Sequence, residues 1–384
     1  MKQYKGYVFR MYPNDIQKEL INKSLGVSRF IYNYFLEFKR VEYEERKKKY
    51  SCFELIKMIP SLSVEYPFLK EVDSCLLRCG IFDLDNAFQG FFQGKGYPRF
   101  KKKGIKDSYK TNNITSTYKG KTYNSIEVNL KNKTIKLPKI GLVNIRGYRK
   151  LNKLPGIIKS SVVRKIANKY YVSVLVEEEI EIPKITPKTI VGIDLGIKDI
   201  IVTSNGIKLD NPNKLRLNRL RKRLKGLQKS LSRSQVGSKN RYKIIIKIQR
   251  INQKMNNLKK YLINNLTNII VKNNDIISIE DLDIKNMYQE HRLAQKLIDI
   301  PLFKLVETIK WKAYLFGKKV IKINRYYASS QMCSVCGIKN EKVKDLSIRR
   351  WKCSNCESIH DRDINASINI MFEGLVKYIK ESYS

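Results

Sequence analysis

Four cysteines and a short run of acids carry most of the chemistry that the chain displays. Cys333-Ser334-Val335-Cys336 and Cys353-Ser354-Asn355-Cys356 are two Cys-x-x-Cys pairs with sixteen residues between them. Two such pairs can place four thiolates around one Zn²⁺ ion, because each bends back far enough for both its sulfurs to reach the metal. Ser334, Gly337, Ser354 and Asn355 suit those bends. Two reducible disulfides or four buried thiols are the other reading, and the paired spacing favours zinc. The second pair runs on into His360-Asp361-Arg362-Asp363-Ile364-Asn365-Ala366. A zinc ribbon is therefore expected just ahead of a helix that opens on Asp361 or Asp363 and carries the apolar stripe Ile364, Ile368, Met371 and Leu375.

Two further acids sit at the ends of buried strand patterns. In Ile190-Val191-Gly192-Ile193-Asp194-Leu195-Gly196-Ile197 the alternation sets Val191, Ile193 and Leu195 on one face. Gly192, Asp194 and Gly196 share the other. An uncompensated charge in so apolar a setting is costly, which points to function. The glycines are expected to leave space there for a phosphate backbone and ions. The run continues through Ile200-Ile201-Val202-Thr203 to a hairpin turn at Ser204-Asn205-Gly206. Ile276-Ile277-Ser278-Ile279-Glu280-Asp281-Leu282 is a second buried strand; Glu280 shares a face with Ser278, and Asp281 lies opposite. Asp194, Glu280 and Asp363 are thus a candidate triad. Three carboxylates suffice to hold two divalent ions about 4 Å apart. Mg²⁺ prefers oxygen ligands and keeps waters, one of which can attack a phosphodiester. The chain has only two histidines, His291 and His360, and no plausible Ser-His-Asp set. An acid on a strand hairpin, one on a second strand and one on a helix is the acid layout of a ribonuclease-H-like fold.

The elements that must hold these groups follow in order. Tyr7-Val8-Phe9-Arg10-Met11-Tyr12 reads as a strand stopped by Pro13-Asn14, with Asn14 able to cap a helix through Ile16, Leu20, Ile21 and Leu25. Helical patterns extend over about 27–58 and 68–93. There Leu84, Ala87, Phe88, Phe91 and Phe92 form a stripe expected in the core. A glycine-flexed loop, Gly94 to Gly104, interleaves cations with rings. Arg99, Lys101 and Lys102 can hold phosphates while Tyr97 and Phe100 stack on bases. From about 115 to 180 short strands alternate with Asn, Gly and Pro turns and predict a small antiparallel barrel or sandwich, which the first strand can join. Ile182 to Pro187 reads as a linker. Residues 213–262 form a basic helical hairpin. Its seam is Leu217, Leu220, Leu224, Leu227 and Leu231 against Ile244, Ile248, Ile251, Met255, Leu258 and Leu262, with a break at Ser234 to Ser238. Its outer faces carry cations such as Arg216, Arg219, Arg223 and Lys247. Helices are expected over about 289–317, then a strand at Val320 to Asn324.

The balance of charge narrows the partner. The 384 residues hold 77 Lys and Arg against 35 Asp and Glu, a formal charge of +42. Such a chain repels itself unless it meets a polyanion, and nucleic acid held through salt-sensitive phosphate contacts is the expected one. No apolar run is long enough to span a membrane, and the first residues lack a signal-peptide core. Seven cysteines, four of them in a zinc pattern, fit a reducing cytosol.

These features resemble TnpB, the transposon-encoded RNA-guided DNA endonucleases related to type V CRISPR nucleases. The matching residues are Tyr12-Pro13-Asn14, the stretch from Gly26 to Asn33, Pro98-Arg99-Phe100-Lys101, Gly192-Ile193-Asp194-Leu195-Gly196, Glu280-Asp281-Leu282, the four cysteines, and Asp361 to Ile370. They reach over nearly the whole chain, and the junction of cysteines with Asp363-Ile364-Asn365-Ala366 is the most specific. The resemblance implies an α/β fold with all-β and helical parts. Its parts would be a small β-barrel wedge domain (1–14 and 115–184), a helical recognition lobe (15–114), and an RNase-H-like RuvC nuclease domain (185–325 and 360–384) with an inserted zinc ribbon (326–359). It implies Asp194, Glu280 and Asp363 as ligands of catalytic Mg²⁺, two ions in all, and Cys333, Cys336, Cys353 and Cys356 as ligands of structural Zn²⁺. Asp363 rather than Asp361 fits the last acid motif, which leaves Asp361 to cap the helix. It implies metal-dependent hydrolysis of target DNA carrying a short adjacent motif, directed by a noncoding RNA from the transposon end. The setting would be the bacterial cytoplasm, at the nucleoid, with no membrane and no small-molecule substrate. A strand-transferring transposase, a guided repressor without cleavage and a zinc-ribbon scaffold whose acids are structural are the competing readings. Two departures stand out: Ser367 where the family often has a second Ala, and Glu357 after Cys356 where Gly is common.

Overall fold

The computed structural model describes residues 1–104, 107–148, 151–196, 199–283, 300–345 and 347–383. The chain divides into two compact units, Met1–Ile180 and Glu181–Ser384. No helix among the described residues is long and apolar enough to cross a membrane.

The first unit opens with strand β1 (Lys2–Tyr12) and helix α1 (Asp15–Arg46). Pro13 separates them, and a capping box starts the helix: Asn14 Oδ1 accepts from the Gln17 amide while Gln17 Oε1 accepts from the Asn14 amide. One 32-residue helix thus spans what the sequence pattern divides. Short helices α2 (Cys52–Lys57) and α3 (Ile59–Glu65) lead to α4 (Ser74–Phe92), capped by Asp73. The strands follow as β2 (Asp107–Asn112), β3 (Thr115–Tyr118), β4 (Lys121–Asn124), β5 (Glu127–Asn129), β6 (Thr134–Leu137), β7 (Gly141–Arg146), β8 (Ile157–Ile166) and β9 (Lys169–Glu179).

Seven of them form one antiparallel sheet in the order β2-β8-β9-β1-β7-β6-β5. The first strand does join it, between β9 and β7. Two expectations need correction. The sheet takes in β2, earlier than the expected start near 115. Its edges are β2 and β5, with no ladder closing it into a barrel among the described residues. Helices and sheet share a single hydrophobic cluster, in which Phe9, Val172 and Val174 meet Ile31, Phe35 and Leu84. The stripe on α4 follows that core only in part: Leu84 is buried, whereas Phe92 is 78% exposed.

The second unit is built on a five-stranded sheet. Its strands are β10 (Ile190–Asp194), β11 (Ile201–Thr203), β12 (Lys208–Leu209), β13 (Ile276–Ile279) and β14 (Lys319–Lys322), in the order β12-β11-β10-β13-β14. β10, β11 and β12 pair antiparallel, and β13 and β14 join parallel to β10. Between β12 and β13 lies the hairpin of α5 (Lys214–Ser232) and α6 (Lys239–Asn273). Leu217, Ile251 and Met255 form its seam, with Leu220, Leu224, Leu227 and Leu258 against them. α6 runs well past the expected end at 262, and Leu266, Ile270 and Val271 pack on the sheet. Helix α7 (Leu302–Leu315) covers the same face from Pro301 onward. The part of its expected span from 289 to 299 lies outside the described residues, as do His291 and Ile197.

The ribbon follows β14 and ends in the two-stranded sheet β15 (Arg350–Lys352) and β16 (Ile359–Asp361). β16 passes without a break into α8 (Arg362–Tyr383). α8 crosses the other face of the five-stranded sheet so closely that only glycine fits. A Cβ on Gly192 would lie 1.9 Å from the Ser367 carbonyl oxygen, and one on Gly374 would lie 1.8 Å from Ser278 Oγ. This overturns the expectation that Gly192 clears room for nucleic acid, because the backbone of α8 fills the space. A Cβ on Gly196 would similarly meet the Asp199 carbonyl oxygen at 2.6 Å.

Candidate functional site

The four thiols meet as their spacing predicts. The Sγ atoms of Cys333, Cys336, Cys353 and Cys356 all lie within 4.8 Å of one another, and none is in a disulfide. Cys333 to Cys356 and Cys336 to Cys353 are each 3.6 Å. Tetrahedral zinc with Zn–S bonds of about 2.3 Å needs sulfurs about 3.8 Å apart, so the donor set fits that ion. Val343 and Trp351 close the small core beneath. His360 is buried against Trp351, ring centroids 4.6 Å apart, with Nε2 3.1 Å from Cys333 Sγ. Glu357 takes a left-handed backbone, φ 58°, where the first knuckle has Gly337 at φ 75°. The departure from glycine is therefore accommodated under strain.

The acids are placed by the sheet and by α8. Ile193 pairs with Ile279 across the parallel β10–β13 ladder, and Asp194 and Glu280 each follow directly, Asp194 as the last residue of β10 and Glu280 just past the end of β13. Adjacent strands stand about 4.8 Å apart, which makes the two carboxylates neighbours. Burial pushes the Asp194 carboxyl up, and the charges of Glu280 and Asp363 push it further, to about 7. Burial also raises Glu280, against a hydrogen bond from Ser329 Oγ to Oε1 at 2.5 Å. Asp363 lies in the first turn of α8 and pairs with Arg349 of the ribbon at 3.2 Å. A carboxyl held up by burial and by two neighbouring acids, as Asp194 is, marks a site that a cation would relieve.

The neighbouring acids are otherwise engaged. Asp361 Oδ1 accepts the amides of Asp363 and Ile364, the capping role expected of it, and Oδ2 takes Lys208 Nζ at 2.7 Å. Burial would raise its carboxyl, but Lys208 and the two amides outweigh that and hold it low. Asp281 points away to Lys322 and Arg325, and the hydrogen bond from Lys322 does most to hold it low.

In the first unit, the loop expected to bind nucleic acid borders a groove of about 970 Å³ lined by Leu36, Arg40, Tyr97, Arg99, Phe100 and Lys102, among others. Tyr97 and Phe100 are each 48% exposed. Tyr97 is steadied by edge-on contacts with Phe88 and Phe91. Asn33 clamps the loop, taking the Lys101 amide and donating to its carbonyl. Lys101 itself is less available than expected, since its ammonium lies 3.2 Å from Asp83 and over the Tyr32 ring.

Sequence reasoning assigned no role to Ser329, Arg349, Asn365 or Asn369, although both asparagines stand in the matching stretch Asp361 to Ile370. A signal for the two asparagines exists, because they stand four apart on the core face of an amphipathic helix where apolar residues belong. Ser329 and Arg349 carry no local signal, because their partners are distant in the chain.

Three family models match parts of the chain. "Cas12f1-like, TNB domain" matches residues 303–370, "Probable transposase" 172–291 and "Helix-turn-helix domain" 1–48. In this chain the last of these spans β1 and the single helix α1. A "Putative RNA-guided DNA endonuclease" of Streptomyces pristinaespiralis is 31% identical over 98% of this chain and 90% of its own length. InsQ of Escherichia coli K12, described in the same words, is 26% identical over 97% of this chain and 93% of its own length. Among solved structures, the Cas12f1 chain of a complex with sgRNA and target DNA superposes with a TM-score of 0.58, covering 96% of this chain and 99% of that one, at 14% identity. That likeness is one of fold.

Proposed function

Because the chain belongs to the TnpB family, we propose that it is a transposon-encoded, RNA-guided DNA endonuclease whose cleavage centre is Asp194, Glu280 and Asp363. The observation that carries this reading is that acids from β10, the end of β13 and the start of α8 are close enough for Glu280 and Asp363 to raise the Asp194 carboxyl. The order β12-β11-β10-β13-β14, with a helix-borne acid on one face, supports reading this unit as an RNase-H-like, RuvC-type domain. Asp194, Glu280 and Asp363 would hold Mg²⁺, which supplies an activated water and charge relief at the leaving 3′-oxygen. The protein's own part is to keep the three carboxylates close, with Asp194 and Glu280 largely out of water and Asp363 held by Arg349. The four cysteines would hold structural Zn²⁺ and so fix the ribbon at 326–359.

The remaining parts divide by role. The seven-stranded sheet, which takes in β1 and β2, would form the wedge, and the helices between β1 and β2 the recognition lobe. The groove at Tyr97, Arg99, Phe100 and Lys102 would hold nucleic acid by stacking and phosphate contact. Residues 185–325 and 360–384, with the basic hairpin at 213–262, would form the nuclease domain. The partners would be a noncoding RNA from the transposon end and target DNA with a short adjacent motif, in the cytoplasm.

The test is to sequence the RNA that copurifies with the protein, then supply that RNA, matched DNA and Mg²⁺. We expect one discrete transcript and cleavage that is lost in Asp194→Asn. Bulk cellular RNA and no cleavage would sink the proposal. Binding of matched DNA without cleavage would indicate a guided repressor, and joining of transposon ends without RNA would indicate a transposase.

A further inference from the structure

Helix α8 does more than carry an acid. Asn365 and Asn369 lie one turn apart on its inner side, and both are buried, at 1% and 5% exposure. A buried amide is costly unless its polar atoms find partners. These find them on one short segment that leads into the first zinc knuckle. Asn369 Nδ2 donates to the carbonyls of Ser329 at 2.8 Å and Met332 at 2.7 Å. Asn365 Nδ2 donates to the Met332 carbonyl at 2.6 Å, and its Oδ1 accepts the Ser334 amide at 2.9 Å. Ser334 follows Cys333 directly. Ser329, itself buried, uses its hydroxyl on Glu280 Oε1. One line of contacts therefore runs from the helix bearing Asp363, through the root of the ribbon, to the carboxylate at the end of β13.

We propose that Asn365, Asn369 and Ser329 are positioning residues for the three-acid centre. They staple the root of the ribbon to α8 and so fix the Glu280 carboxylate relative to Asp363. The inference rests on the reading of those acids as metal ligands. Left alone, a flexible glutamate beside buried Asp194 would swing away from a like charge. The Ser329 hydroxyl holds it, and Asn369 holds Ser329. An amide is needed at 369 because two carbonyl oxygens converge there, and a carboxylate would repel both. Partners that orient metal ligands change metal affinity about 10–100-fold when lost.

The experiment uses the full chain with its bound RNA. Mn²⁺ binding is followed by calorimetry, the Mg²⁺ dependence of cleavage is measured beside it, and zinc content is read by atomic absorption. Ser329→Ala and Asn369→Asp should each weaken Mn²⁺ binding about tenfold and raise the Mg²⁺ needed for half-maximal cleavage by the same factor. The cleavage rate at saturating metal should change much less, and zinc should stay at the wild-type level. The double variant should be no worse than the worse single, because both act through one contact. Ser329→Thr should behave like wild type. Unchanged Mn²⁺ affinity in Ser329→Ala overturns the proposal, as do independent, additive losses in the double variant. Loss of zinc in Asn369→Asp together with normal Mn²⁺ binding in Ser329→Ala reduces the asparagines to ribbon folding, which also overturns it. Calorimetry needs no cleavage. A wild-type chain that binds Mn²⁺ but leaves matched DNA intact sinks the endonuclease reading alone, and one that takes up no Mn²⁺ sinks both.

Discussion

At the scale of single residues, Asp361 and Asp363 are two positions apart on one short stretch and have opposite fates. Asp361 has two helix amides and Lys208; Asp363 pairs with Arg349 and adds its charge to the field on Asp194. Serine can still cap a helix but is a poor replacement for a metal-binding carboxylate. Asp361→Ser should therefore keep cleavage within about tenfold of wild type, while Asp363→Ser should lose on the order of 10³-fold, as measured by single-turnover rates. Equal losses would reverse the assignment. Glu357 gives a second expectation. A left-handed residue other than glycine costs about 1 kcal/mol, and the exposed ion pair of Glu357 with Lys352 returns little of it. Glu357→Gly should slow zinc loss to a chelator several-fold.

At the scale of elements, the sheet of the second unit depends on one close crossing. Gly192→Ala would push a methyl into the backbone of α8 and should destabilise the protein by about 3 kcal/mol, seen as a lower melting temperature and weaker metal binding. An unchanged melting temperature would show that α8 does not sit as described. The same glycine shows what a sequence conveys and what it omits. The pattern around Asp194 discloses a strand, its two faces and an acid on one of them, because alternation is local. It also discloses that a side chain is missing at 192, but not what occupies the gap, since Ser367 lies 175 positions away. Metal spacing was legible for the same local reason: each pair of cysteines sits within one turn of chain. The stapling by Asn365 and Asn369 was not, because it is made with carbonyls that carry no residue-specific mark. In the first unit β2 was hidden by its polar composition, and a seven-stranded sheet left open at both edges cannot be told from a barrel by strand count.

At the scale of the whole molecule, a formal charge of +42 makes association with nucleic acid steeply dependent on salt. Each lysine or arginine that holds a phosphate contributes about one unit to the slope of log K against log salt. Arg99→Gln and Lys102→Gln should each reduce that slope by about 1 in a filter-binding titration. Lys101→Gln should reduce it less, because Asp83 already neutralises the ammonium. Equal reductions for all three would show that the Asp83 contact opens on binding. The 35-residue helix α6 connects charge with chemistry in another way. At 1.5 Å per residue it is a rod about 52 Å long. Its first half lies in a leucine seam with a cation-rich partner, and its second half lies beneath the strands that bear the acids. A load applied to the outer half by a polyanion seated there would tilt a lever whose fulcrum is the five-stranded sheet, so grip at one end and alignment at the other become a single mechanical variable.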